Sequence, residues 1–231
     1  MSNKKASKQD NPKPNAKVAV AAGAFLLFIG ILAFVFMSQD NKQAEQAEPV
    51  VDVAAMRAAA LASEYSPSIG NPNAKVQIVE FLDPACGTCA MFYPMVKSWM
   101  EQVPGQIHLT VRHVAFHEGV DEAVKVLEAS RKQDKYWETL EALLKTQQQW
   151  VLNHVVQKDR ILPAIASVGL DIERLKADMN SMETLRNFEK DKQDSVTLKV
   201  TATPEYFVNG RQMASFGQQQ LADLVREELE K

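Results

Sequence analysis

The chain has 231 residues, 46% hydrophobic and 24% charged, which suits one apolar anchor plus one globular domain with an ample core. Its net charge of −3, with basic residues scattered except at the N-terminus, gives no sign of a nucleic-acid partner. There are only two cysteines, Cys86 and Cys89, too few for a disulfide framework or a tetrahedral zinc site.

Residues 1–17 are polar and lysine-rich and read as a tail. Val18 to Met37 carries no charge, and at ~1.5 Å per residue it reaches ~30 Å, about the thickness of a hydrocarbon core. Lys4, Lys5, Lys8, Lys13 and Lys17 precede it, whereas Asp40, Glu45 and Glu48 follow it. The positive-inside rule therefore predicts a single-pass anchor with a cytoplasmic N-terminus. A cleaved signal peptide has a shorter apolar run of ~7–15 residues and a small-x-small site, which Phe36-Met37-Ser38-Gln39 does not offer. In either case the remainder is expected in an oxidising, extracytoplasmic compartment.

Residues 38–71 read as a Gln/Glu/Ala-rich linker containing a short helix, 52–63, with Asp52 as its cap. That helix could lie on the domain or extend a stalk. Tyr65-Ser66-Pro67 and Gly70-Asn71-Pro72-Asn73 read as turns, and the domain proper is expected over 72–231. Val76 to Leu82 is a buried strand by its β-branched and aromatic content. From Cys86 to about Gln102, apolar residues recur at helical spacing until Pro104-Gly105, and Ile107 to Val114 alternates like a strand. This β–α–β unit predicts a parallel pair.

A helical insertion is expected over about 119–199, with one helix ending at Gly169, another after Asp171, and a longer one over 184–198. Gln147-Gln148-Gln149 reads as a solvated loop. Glu205 to Val208 is a strand, Asn209-Gly210 a hairpin turn, Gln212 to Ser215 the return strand, and Gln218 to Glu230 an amphipathic helix. The order is β-α-β, a helical block, then β-β-α.

Cys86-Gly87-Thr88-Cys89 falls where a strand gives way to a helix. The unpaired amides and positive dipole of a helix N-terminus stabilise a thiolate at Cys86, making it the attacking thiol and a good leaving group. Cys89, one turn further in, is expected to be more buried and to resolve a mixed disulfide. A C-x-x-C can also be half of a metal site, but no second pair is present. The histidines read as structural: His108 and His113 face opposite sides of a strand, His117 follows it, and His154 is isolated. Met91 and Met95 read as core packing rather than metal ligands. No metal and no cofactor is expected.

V-E-F-L-D-P-A-C-G-T-C, followed far along the chain by T-A-T-P-E-Y-F-V-N-G, resembles the DsbA-like branch of the thioredoxin superfamily over residues 72–231. The resemblance implies an α/β thioredoxin-like fold with a helical insertion, here behind one N-terminal transmembrane helix. It implies that Thr203-Pro204 is the family's cis-proline loop, where the backbone of Thr203 pairs with an extended substrate, although Ala202 stands where Gly is usual. It also implies that Glu80, six residues before Cys86, is the buried acid that relays the proton of Cys89. Burial of such a carboxyl raises its pKa. Gly87-Thr88 departs from the Pro-His typical of DsbA and supplies no cationic group, so a less stabilised thiolate and a lower potential are expected.

The resulting expectation is a thiol–disulfide oxidoreductase acting on envelope proteins and promoting disulfide formation. Its partners would be protein thiols and a membrane redox protein, either a DsbB-like oxidase or a DsbD-like reductase. The alternatives are a reductase or isomerase fed by a membrane reductase, and a non-enzymatic metal-binding or assembly chaperone.

Overall fold

The computed structural model describes residues 52–231. The expected tail, anchor and first part of the linker lie outside the described residues. Among the described residues no helix is long and apolar enough to cross a membrane.

Helix α1 (Val53–Leu61) is capped by Asp52, whose side chain accepts a hydrogen bond from the Ala55 amide at 3.0 Å. It lies on the domain: Ala60 is buried, and its carbonyl accepts from Arg112 Nη1 at 2.8 Å. The compact unit accordingly begins at Asp52.

Five strands form the main sheet, in the order β1 (Ser68–Gly70), β3 (Ile107–His113), β2 (Val76–Leu82), β6 (Glu205–Val208) and β7 (Arg211–Gln212). At its centre, β2 (Val76–Leu82) pairs parallel with β3 (Ile107–His113) and antiparallel with β6 (Glu205–Val208). Helix α2 (Gly87–Gln102) makes the crossover between β2 and β3. It contains Pro94, which lacks the N–H that would close onto the carbonyl of Ala90. Strand β7 (Arg211–Gln212) follows a turn in which Asn209 and Gly210 have φ of 48° and 78°, the left-handed pair a tight hairpin needs. The return strand is shorter than the expected 212–215.

Strand β1 (Ser68–Gly70), where only turns are expected from the sequence, pairs antiparallel with β3 and closes that edge. The three residues from Ser68 to Gly70 are too short a run for period-two alternation to register. Gly70 has φ of 101°, and a Cβ there would lie 2.4 Å from the Ile107 carbonyl oxygen, so only glycine fits.

Between β3 and β6 lies the helical insertion: α3 (Asp121–Ser130), α4 (Tyr136–Lys145), α5 (Gln147–Trp150), α6 (Lys158–Ala164), α7 (Ile172–Met179) and α8 (Met182–Thr197). Helix α9 (Gln218–Glu230) ends the chain. Gln147–Gln149 belongs to α5 rather than to a loop. The turn is fixed by Trp150, which is fully buried and donates through Nε1 to the Leu143 carbonyl at 3.0 Å. A two-strand hairpin, β4 (Val151–Leu152) and β5 (Val155–Val156), then turns through Asn153 and His154, both at positive φ. Without glycine at that turn, the sequence carries no strong hairpin signal.

Alternation along β2 splits the core in two. Val76, Ile78, Glu80 and Leu82 share one face; Val76, Ile78 and Leu82 join the large cluster that includes Cys89, Phe92 and Tyr206. On the other face, Phe81 joins a smaller cluster with Ala60, Leu198 and Phe207. The fully buried Arg112 accompanies the second cluster. Its guanidinium is held by Asp191, by Asp194 at 2.6 Å and by the Tyr65 hydroxyl at 2.6 Å.

Candidate active site

The segment Asp83-Pro84-Ala85-Cys86 turns the chain from β2 into α2. Asp83 is fully buried, and its carboxylate gathers the turn. One oxygen accepts from the Ala85 amide at 2.8 Å; the other accepts from the amides of Phe116 and His117 at 2.8 and 3.0 Å. His117 Nδ1 lies 3.0 Å from that second oxygen. The Cys86 amide donates to the Asp83 carbonyl at 2.9 Å, which sets Cys86 as the N-cap residue of α2. From α5, Gln147 Nε2 donates to the Pro84 carbonyl at 2.9 Å.

Cys86 and Cys89 are free thiols in this structure. Cys86 retains 7% exposure whereas Cys89 has none. The Cys86 thiol donates to the carbonyl of Thr203 at 3.3 Å, and Thr203–Pro204 is a cis peptide bond. The loop before β6 and the first turn of α2 therefore meet at Cys86. Gly87 and Thr88 form that first helical turn.

The two thiols have opposite acidities. The Cys89 thiol donates to Cys86 and, with the Thr203 side chain and the amides of Cys89 and Thr88, pulls Cys86 down to about 5 against the opposing effect of burial. Burial, then the hydrogen bond to Cys86 and the nearby Glu80 charge, push Cys89 well above the ordinary thiol range. The chemistry is that of one exposed-edge thiolate over one buried thiol. The absence of a cationic side chain at Gly87-Thr88 does not prevent thiolate stabilisation, because sulfur and backbone donors supply it.

Glu80 lies on the same side of β2, fully buried, with neither carboxyl oxygen hydrogen-bonded. Burial pushes it up to about 8; the nearby Tyr206 phenol, a donor facing the carboxyl, opposes this, and the Cys86 charge adds a smaller upward push. At neutral pH it is mostly the neutral acid.

Structure thus brings Cys86, Cys89, Thr203 and Pro204 together, with Glu80 electrostatically coupled to both thiols. Sequence reasoning missed Asp83, His117, Gln147 and Tyr206. Asp83 carried a signal, since an Asp before Pro at a turn commonly accepts from the backbone two residues on. The other three depend on tertiary placement. His154 is not isolated: its ring stacks on that of His117 at 6.2 Å between centroids. Met91 is 60% exposed rather than core, whereas Met95 packs against the core as expected.

A family model described as Thioredoxin matches residues 62–227. The chain belongs to the thioredoxin family. Its DsbA-like character, read from the motifs, agrees with its relatives. It is 26% identical over 177 residues to Disulfide bond formation protein D of Bacillus subtilis, covering 71% of this chain and 76% of that protein. A solved thioredoxin-like oxidoreductase from Silicibacter pomeroyi is 27% identical with a TM-score of 0.64, covering 73% of this chain and 95% of that one. A Na(+)/H(+) antiporter NhaA of Herminiimonas arsenicoxydans is 27% identical over 144 residues, 62% of this chain. The chain spans only 22% of that antiporter's length.

Proposed function

We propose that this thioredoxin-family chain is a thiol–disulfide oxidoreductase that forms disulfides in proteins outside the cytoplasm. The observation that carries the reading is the pairing of a low-pKa thiol at a helix N-terminus, Cys86, with a fully buried thiol, Cys89, beside the cis Thr203–Pro204 loop.

In the oxidising direction a substrate thiolate attacks the sulfur of Cys86 in the Cys86–Cys89 disulfide. That S–S bond breaks, a substrate–Cys86 bond forms, and Cys89 leaves as a thiolate. Glu80, neutral at the start, gives Cys89 its proton and later recovers one from solvent. A second substrate thiolate then attacks the substrate sulfur of the mixed disulfide, and Cys86 leaves as a stabilised thiolate. The substrate loses two electrons and the Cys86–Cys89 couple gains them. The low pKa of Cys86 stabilises the reduced couple, which supports the oxidising direction. An extended substrate would lie along Thr203, whose backbone stands at the reacting sulfur. A membrane redox partner that takes the electrons from Cys86 completes the cycle.

The test is disulfide formation in a reduced client protein. Wild type should form disulfides catalytically, and Cys86→Ala should lose the activity; activity that persists in Cys86→Ala sinks the proposal. The charge-free run 18–37 behind its lysine-rich flank supports membrane attachment. Alkaline extraction should leave the full chain in the membrane fraction and release a chain lacking residues 1–37. Release of the full chain would refute the anchor.

A further inference from the structure

Glu80 cannot give up its proton inside the domain unless something receives the charge left behind. Both of its oxygens are buried without a hydrogen-bond partner, so a bare carboxylate there carries its full desolvation cost. The side chain directly opposite is Tyr206: Glu80 and Tyr206 are cross-strand partners in the antiparallel β2–β6 pair. Such partners have Cβ atoms about 5 Å apart on the same face of the sheet. Tyr206 is itself fully buried, and its hydroxyl also lacks a hydrogen-bond partner. Two orphaned polar groups face each other, one an acceptor that gains charge during turnover and one a donor.

The ring of Tyr206 is held in place. It stacks on Phe92 of α2 at 6.1 Å between centroids, and Phe92 stacks in turn on Phe216 at 5.1 Å. Burial keeps the phenol protonated, so it is a donor throughout the working pH range. The other titratable groups coupled to Glu80 all come from α2 and its N-cap residue: Cys86, Cys89 and Tyr93. None of these is a free donor to it. The thiols hydrogen-bond each other, and the Tyr93 hydroxyl donates to Glu141 Oε1 at 3.2 Å. The other cross-strand neighbour of Glu80, Val111 on β3, is apolar.

We infer that Tyr206 is the positioning residue of the proton relay, its hydroxyl donating to the Glu80 carboxylate formed when the proton passes to Cys89. The inference rests on the proposed relay through Glu80. In the reverse step, when Cys89 attacks a mixed disulfide, the same hydrogen bond holds the carboxylate ready to accept the Cys89 proton. No atom leaves Tyr206; it stabilises charge and turns the carboxylate toward the thiol.

The experiment is the pH dependence, from 5 to 10, of single-turnover oxidation of the full-length dithiol protein by glutathione disulfide, read as closure of the Cys86–Cys89 bond. Wild type should show an inflection that vanishes in Glu80→Gln. Tyr206→Phe, which keeps the stacked ring, should move that inflection upward by a unit or more and slow closure about tenfold at pH 7. Tyr93→Phe should leave the inflection in place. An infrared titration of the carboxyl band lost in Glu80→Gln reads the same shift without turnover. If Tyr206→Phe matches wild type in both readouts while Glu80→Gln loses the inflection, the role of Tyr206 is overturned and the Glu80 relay survives. If Glu80→Gln keeps the inflection, both fall.

Discussion

At Cys86, thiolate stability comes from short-range donors rather than from a neighbouring cation. The leading contribution is the hydrogen bond from Cys89, so Cys89→Ala should raise the Cys86 pKa from about 5 toward 9. Thiolate absorbance near 240 nm reads this directly; an unchanged midpoint would assign the stabilisation to Thr203 and the helix N-terminus instead. Glu80 has the opposite sign of linkage. Its folded pKa of about 8 exceeds the usual 4.5, so the folded chain holds a proton that the unfolded chain releases between those values. Stability from this group is therefore complete below about pH 4.5 and is lost as pH rises through 8. Glu80→Gln should remove that loss, gaining on wild type by about 1–3 kcal/mol between pH 5 and 9 in denaturant titrations. Cys86, with a lowered pKa, pulls in the other direction from pH 5 upward in both chains.

At the scale of elements, the site is a junction held by Asp83. Its carboxylate ties the turn before α2 to the Phe116–His117 segment after β3. Asp83→Ala leaves two amides of that segment without their acceptor and should cost about 2–4 kcal/mol in urea unfolding. Retention of wild-type stability would show that the segment is held by other contacts. Local pattern made β2, α2, β6 and α9 legible in the sequence, because each combines a clear period with strong boundary residues. Strand β1 and the β4–β5 hairpin were not legible, since runs of two or three residues have no period to detect. The buried charge cluster was also invisible. Arg112 reads as one polar position in an alternating strand, and its partners Asp191 and Asp194 lie on α8, 79 and 82 residues away, where they read as ordinary surface acids.

For the whole molecule, two motifs far apart in the chain specified the fold more firmly than any single element did. C-x-x-C alone is compatible with metal binding; the cis Thr203–Pro204 loop at Cys86 and the acid beneath give it the geometry of an exchange site. Roles that depend on cross-strand register, such as that inferred for Tyr206, emerge only when β2 and β6 are paired. The direction of electron flow follows from how strongly the reduced couple is stabilised. A Cys86 pKa of about 5 falls between the thioredoxin cysteine at ~7 and the DsbA cysteine at ~3.5.

Equilibration of the Cys86–Cys89 couple with glutathione at pH 7 measures that stabilisation. The oxidising account predicts a reduction potential between those of thioredoxin, ~−270 mV, and DsbA, ~−120 mV. A value at or below that of thioredoxin would contradict it.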